Sequence, residues 1–278
     1  MLSHTSQFPV NIYDLDAWGE LRFSALLRFL QQAASDASAA AGFDVEWYER
    51  AGTLWVIRRT IVEYLAPALY RDRLDVRTWV SDIRRVRSQR EYEVRRAGEP
   101  ALVARGATDW VYVDLARGAP ARPPEEMQQR LMPGAVAQPR PPRAPAVAPP
   151  HAARLKRRVE LADLDSVAHV NNAHYAVYVE QAVGDALAAH GWRIDPSARA
   201  PRLRVQRHDI EYFAEAQYDD QLEAAVWTSA AEASGFTSEC TLARGATRVL
   251  HASSRWTWSA TALPAALRAA VAALAVRA

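Results

Sequence analysis

The stretch Asp163–Ala182, DLDSVAHVNNAHYAVYVEQA, decides how the chain is read. It opens polar, with Asp163, Asp165, His169, Asn171 and Asn172 among its first ten positions. The remainder turns helical, because Tyr175, Tyr178, Val179, Ala182, Val183 and Ala186 recur at spacings of three and four and so share one face. Asn171 or Asn172 stands where a side-chain oxygen would cap the free amides of the first turn. An acid and an imidazole are thereby delivered to the mouth of a helix N-terminus, where bare amides and the helix dipole favour developing negative charge. Such a place suits attack on a carbonyl.

The first half of the chain carries a second version of the pattern. Asp14-Leu15-Asp16 recurs 149 residues later as Asp163-Leu164-Asp165, and Gln32, Ala33, Asp36 and Gly42 meet Gln181, Ala182, Asp185 and Gly191 at the same offset. Glu63-Tyr64, Asp72, Leu74, Trp79 and Trp110 recur as Glu211-Tyr212, Asp220, Leu222, Trp227 and Trp258 at an offset of 148. One residue of drift is what a single loop deletion leaves. The chain therefore reads as two copies of one unit. Each copy predicts a short lead strand (Val10–Tyr13, Leu155–Leu161) and a helix (Ser24–Ala41, Ala173–His190) closed by Gly42 or Gly191. Four strands follow in each: Thr53–Tyr64, Leu74–Ile83, Gln89–Arg96 and Ala101–Asp114, then Leu203–Tyr212, Gln221–Ser229, Gly235–Ala243 and Val249–Trp258. The expected fold class is α+β, each unit an antiparallel sheet wrapped around one long central helix.

The units are expected over residues 1–117 and 151–278. Between them, 118–150 holds ten of the sixteen prolines, which argues against sheet pairing and predicts an extended linker. Thr261–Arg277 places Leu263, Leu267, Val271 and Leu274 on one helical face and predicts a helix on the outside of the sheet. A net charge of only +2 gives no global drive toward nucleic acid. A single cysteine, Cys240, excludes an internal disulfide and a cysteine metal cluster, and no metal-ligand set of the usual spacing occurs. The N-terminal residues lack the pattern of a signal peptide and no apolar run reaches the length of a membrane span, so a cytoplasmic protein is expected.

Asp163-to-Ala182 resembles the signature of hotdog-fold acyl thioesterases, in which an aspartate precedes His-Val-Asn-Asn and the central helix. Two units with the motif intact only in the second resemble, more narrowly, the acyl-acyl carrier protein (acyl-ACP) thioesterases of plants and bacteria, within the superfamily typified by 4-hydroxybenzoyl-CoA thioesterase. Ile210–Ala216, IEYFAEA, is similar to that family's Glu-Tyr-x-x-Glu segment. The resemblance implies catalytic roles for Asp165, His169 and Glu215, an acyl-ACP or acyl-coenzyme A substrate, and no cofactor. It departs from the plant pattern at Val167, where an asparagine is expected, and at Ala216, where a cysteine is expected. The first departure leaves Asn171 or Asn172 to orient water or the thioester oxygen. In the first copy Glu20 stands at the His169 place, Pro67 at the Glu215 place and Arg22-Phe23 at the Asn171-Asn172 place. One active site is expected, with first-copy residues, Leu26, Leu27 and Leu30 above all, shaping the acyl tunnel. The covalent pairing implies a monomer with an internal pseudo-dimer, or a homodimer of such chains.

Thioester hydrolysis needs water activated by a base, or a carboxylate that attacks directly, together with donors for the oxyanion. Asp165 fits either role. Against this stand plainer assignments. Asp163 and Asp165 also suit side-chain turns, the asparagines suit caps, His174 suits a helix surface and Glu215 a solvated turn. The arginines at 84–87 and 154–158 suit solvated faces or a dock for an acidic carrier protein. Two other activities share the scaffold: a hotdog hydratase or dehydratase, and a non-catalytic acyl-thioester binder.

Overall fold

In the computed structural model, residues 3–132, 147–198 and 200–276 are described, and the chain divides into two compact units, Met1–Arg143 and Ala144–Ala278. Unit 1 runs β1 (His4–Pro9), α1 (Phe23–Ala40), α2 (Val45–Ala51), β2 (Thr53–Tyr64), β3 (Arg73–Arg84), β4 (Arg87–Arg96), β5 (Leu102–Asp114), β6 (Ala119–Pro120) and α3 (Glu125–Leu131). Unit 2 runs β7 (Ala153–Arg158), α4 (His174–Ala189), β8 (Leu203–Tyr212), β9 (Gln221–Glu232), β10 (Gly235–Arg244), β11 (Thr247–Trp258) and α5 (Ala265–Ala273).

The two units share one antiparallel strand order. In unit 1 it is β1-β3-β4-β5-β2, with β6 added to β5; in unit 2 it is β7-β9-β10-β11-β8. Burial alternates along β4, the mark of a sheet with one face in the core, and it falters in β3 near the register shift between Val80 and Asp82. The buried stripe of α1 is Phe23, Ala25, Leu26, Leu27, Leu30, Ala33 and Ala34, and that of α4 contains Tyr175, Val179, Ala182, Val183 and Leu187. Each fully buried leucine contributes roughly 1.5–3 kcal/mol. Close approach of α1 depends on Gly106 in β5, where an added Cβ would meet Val62 Cγ2 at 2.9 Å and lie 3.4 Å from Leu30 Cδ1. Gly42 and Gly191 follow the long helices with φ of 89° and 88°, as their sequence positions predict.

Four differences from expectation are physical in origin. The lead strands lie earlier, at His4–Pro9 and Ala153–Arg158, because 3₁₀ turns at Ile12–Asp14 and Leu161–Asp163 occupy the run into the motif. Helix α2, begun by the Asp44 side chain accepting from the Trp47 amide at 2.8 Å, was not foreseen. An extended linker does not describe Ala119–Leu131, where β6 pairs with β5 and α3 buries Met127 and Leu131 against Phe43, Val80, Ile83 and Tyr112. Pro120 ends the two-residue β6, and Pro123 and Pro124 stand just before α3, so none interrupts a helix; residues 133–146 of the expected linker lie outside the described residues. Finally, the predicted helix is shorter, Ala265–Ala273: α5 buries Leu267 and Val271 while Leu263 and Leu274 are buried just outside it, and it touches α4 as well as β9, so it sits beside the long helix. Among the described residues no helix is long and apolar enough to cross a membrane.

Candidate active site

The motif of unit 2 folds as two successive turns. In the first, the Glu160 amide donates to Asp163 Oδ2 at 2.7 Å and the Asp163 amide to the Glu160 carbonyl at 3.1 Å. Asp163 is 4% exposed, and its carboxylate is satisfied from four sides. Besides the Glu160 amide it receives the Tyr178 hydroxyl, His174 Nε2 at 2.7 Å, and Arg157 Nη2 at 3.9 Å. Three close donors and a nearby positive charge are what a buried carboxylate needs to stay in the core. Burial, reinforced by the bond to Asp163, raises the Tyr178 phenol well above its ordinary value. Asp163 is an anchor for the helix start, and His174 is one of its partners rather than a surface residue.

In the second turn the Asp165 amide donates to the His169 carbonyl at 2.9 Å and the Ala168 amide to the Asp165 carbonyl at 3.0 Å. Asp165 Oδ1 accepts from the Val167 amide at 3.1 Å, while Oδ2 makes no hydrogen bond among the described residues. Unit 1 builds the same turn: Asp16 bonds the Glu20 carbonyl through its amide at 2.7 Å, and its Oδ1 accepts from Trp18 and Glu20 at 2.9 and 3.0 Å. The plainer reading of the aspartate is thus present in both units. What differs is what the turn carries.

A short bridge pairs His169 with Gln217, and the Val170 amide bonds the Ala216 carbonyl at 2.9 Å. This zipper brings residue 215 beside residue 169, so His169 Nδ1 meets Glu215 Oε2 at 2.6 Å. Nε2 of His169 has no protein partner among the described residues. Unit 1 keeps the zipper, with Glu20 bridged to Leu69 and the Leu21 amide bonded to the Ala68 carbonyl at 2.8 Å, but holds Glu20 and Pro67 where the pair would stand. Tyr175 braces the 215–216 corner by accepting from the Ala216 amide at 3.1 Å; burial, aided by the Glu215 charge, pushes its phenol up to about 12.

Asn171 Oδ1 accepts from the Ala173 amide at 2.8 Å, and the Asn171 carbonyl accepts from His174 at 2.8 Å, so this asparagine turns the chain into α4. The Asn172 carbonyl accepts from the Tyr212 hydroxyl at 3.2 Å. Neither bond shows contact with a reacting group. Leu26, Leu27 and Leu30 are sealed at 0%, 3% and 2% exposure, and none lines the cavity of about 420 Å3 in unit 1. That cavity lies along the other end of α1, by Ala34, Ser35, Ser38 and Ala39. Arg154, Arg158 and Arg84 pair with Glu223, Asp219 and Asp82 on the surface, which spends much of their charge locally, while Arg85 and Arg87 are exposed. Sequence reasoning missed His174, Arg157 and Tyr175. The i to i+4 spacing of His174 and Tyr178 puts both on one face and was the available signal for the first.

Residues 1–131 match the model of the acyl-ACP thioesterase N-terminal domain and residues 149–258 that of the acyl-ACP thioesterase C-terminal domain. The chain belongs to the acyl-ACP thioesterase family. An acyl-ACP thioesterase is a thioester hydrolase, and the activity carried by membership is hydrolysis of fatty acyl-ACP thioesters. Solved structures agree in fold. A putative oleoyl thioesterase from Lactobacillus plantarum matches with a TM-score of 0.80 at 18% identity, over 95% of this chain and 97% of that one. A 12:0-ACP thioesterase from Umbellularia californica gives 0.75 at 17%, over 92% and 94%. An acyl-ACP thioesterase from Bacteroides thetaiotaomicron gives 0.68 at 19%, over 91% and 97%. No curated protein matches this acyl-ACP thioesterase by sequence.

Proposed function

We propose that the protein releases a free fatty acid from acyl-ACP and that unit 2 performs the hydrolysis through Asp165, His169 and Glu215. The observation that carries this reading is the His169–Glu215 pair at 2.6 Å, mounted on a backbone zipper that unit 1 shares without the chemistry. Glu215 holds the imidazole by Nδ1, which leaves Nε2 to take a proton from water. Asp165 Oδ2 is the oxygen left to align that water, since Oδ1 is used by the turn. Water adds to the carbonyl and the C–S bond breaks. The thiolate then takes the proton, giving the acid and the carrier thiol. Amides at the start of α4 supply positive potential for the oxyanion.

Each unit is read as a hotdog, its sheet wrapped around α1 or α4, and unit 1 as the partner that holds acyl chain. Acyl-coenzyme A is the alternative donor, a cytoplasmic location is the accompanying inference, and a monomer with two internal units is the assembly this implies.

The test exploits the shared turn. Asparagine at 165 keeps the Oδ1 that accepts from Val167, so the fold survives while the charge is lost. With thiol release from acyl-ACP as readout, Asp165→Asn is expected to lower kcat by about 10²-fold or more. Asp16→Asn, in the matching turn of unit 1, is expected to leave it within about twofold, because that turn faces no reaction. Wild-type rates in Asp165→Asn would sink the assignment. Comparing kcat/KM for acyl-ACP and acyl-coenzyme A identifies the donor.

A further inference from the structure

Within the wall of the unit 1 cavity stands a cation without a counter-charge. Arg90 is 6% exposed, on the inward face of β4 with Ser88, Tyr92 and Val94. Its one hydrogen bond among the described residues runs from Nη1 to Thr78 Oγ1 at 3.3 Å, and no carboxylate pairs with it. A second hollow of about 130 Å3 also has Arg90, Val80 and Leu131 in its wall, so Arg90 borders both spaces. Tyr48 lines the larger cavity too. Its hydroxyl is buried and reaches hydrogen-bond geometry with no partner, although Ser38 and Trp55 are close.

Arginine is almost never buried unless paired, and an unpaired buried charge is strongly destabilising. Burial pulls the guanidinium below its ordinary value, the Tyr92 and Tyr48 phenols partly offsetting this, yet an arginine stays cationic at any ordinary pH. Arg90, held by Thr78 alone among the described residues, and the Tyr48 hydroxyl therefore both border the cavity as donors. The rest of the wall is largely apolar, with Phe43, Trp55, Val80 and Leu131. A volume of about 420 Å3 falls in the usual range for small-ligand sites.

We propose that this cavity binds an aliphatic carboxylate, the anionic head meeting Arg90 and the Tyr48 hydroxyl and the chain lying against Phe43, Trp55, Val80 and Leu131. A planar guanidinium matches a carboxylate in a bidentate fork. Asp36, Asp44 and Glu46 also line the cavity. Asp36 is tied to Ser6 Oγ at 2.6 Å and Gln32 Nε2 at 2.7 Å, and Asp44 to the Trp47 amide. Their charges oppose a polyanion such as a phosphorylated carrier, and so favour a singly charged head on an apolar chain. The site rests on the geometry of unit 1 alone. If hydrolysis proceeds as proposed above, the released acid is itself a ligand of this kind, and the cavity retains product.

Calorimetric titration of the full chain with carboxylates from hexanoate to tetradecanoate, below their micelle-forming concentrations, and with the matching alcohols tests it. The best carboxylate is expected to bind at least tenfold more tightly than its alcohol. Arg90→Met is expected to remove that preference, and Tyr48→Phe to weaken the carboxylate severalfold. His169→Gln is expected to abolish hydrolysis and leave carboxylate binding unchanged, which separates this proposal from the catalytic one. Ligand-free Arg90→Met is expected to unfold at the same or a higher temperature, because an unpaired buried charge gives way to an apolar side chain. No carboxylate binding, equal binding of acid and alcohol, a preference that survives Arg90→Met, or a lower unfolding temperature in that variant would each overturn it.

Discussion

At the scale of single residues, two aspartates two positions apart have different work. Asp163 is enclosed, with three close donors and the Arg157 charge nearby, whereas Asp165 spends one oxygen on its turn and keeps the other. Buried thiol and phenol groups add a pH dependence. Burial, with the Glu239 charge, pushes the Cys240 thiol from 9.0 up to about 12, and the Tyr175 phenol rises from 10.0 to about 12. Both groups hold their protons more tightly folded than unfolded. The stability they contribute is whole below about pH 9 and is lost as pH rises toward 12. A urea midpoint that is flat through neutrality and falls above about pH 9 is expected; in Cys240→Ala the fall starts nearer pH 10, where the phenols of Tyr175 and Tyr178 begin to ionise in the unfolded chain. Thiol reagents at pH 8 are expected to spare hydrolysis and to label Cys240 only after unfolding, since the thiolate is the reactive form. Inhibition of the native enzyme would contradict the burial of Cys240.

At the scale of elements, the turns Asp16–Glu20 and Asp165–His169 are the same device built from different residues. The fourth position is left-handed in both, φ 81° at Gly19 and 63° at Ala168. Glycine adopts that conformation freely, whereas alanine pays about 1–2 kcal/mol for it. Gly19→Ala is expected to destabilise the protein by about 1 kcal/mol, because an added Cβ meets nothing within 4 Å and only the backbone cost remains. Ala168→Gly is expected to stabilise by up to about 1 kcal/mol, reduced by the greater freedom of glycine in the unfolded chain. Denaturant unfolding of the two variants measures both, and changes of the same sign would show that the turns are not equivalent.

At the scale of the molecule, one strand order appears in both units with different side chains on it. In unit 1 Gly106 leaves room for Leu30; at the matching place in unit 2, Ser254 bonds His208 Nδ1 at 2.7 Å. The same divergence governs the motif. In an Asp165→Asn background, Glu20→His is expected to restore no thiol release. Pro67 still stands where Glu215 would hold the imidazole, and Arg22, bonded to the Leu15 carbonyl, still replaces Asn171. Turnover above the Asp165→Asn level would show that the frame alone suffices for a site.

Residue order alone determined the recurrence of one pattern along the chain, the long helices with their glycine ends, eight strands close to their observed limits, and the candidacy of Asp165, His169 and Glu215. The first three follow from periodicity, from backbone preference and from matches in register, all of which are local or repeat along the chain, and the candidacy follows from the motif's resemblance to the acyl-ACP thioesterases. Only the tertiary structure decided that Glu215 touches His169, because a bridge between segments more than forty residues apart sets that contact. It alone moved His174 from the surface to Asp163, put ordered elements into Ala119–Leu131, and placed the unit 1 cavity beside Arg90 rather than Leu26, Leu27 and Leu30. Whether an arginine is buried without a partner depends on which distant side chains pack around it, and the order of residues along the chain does not state that.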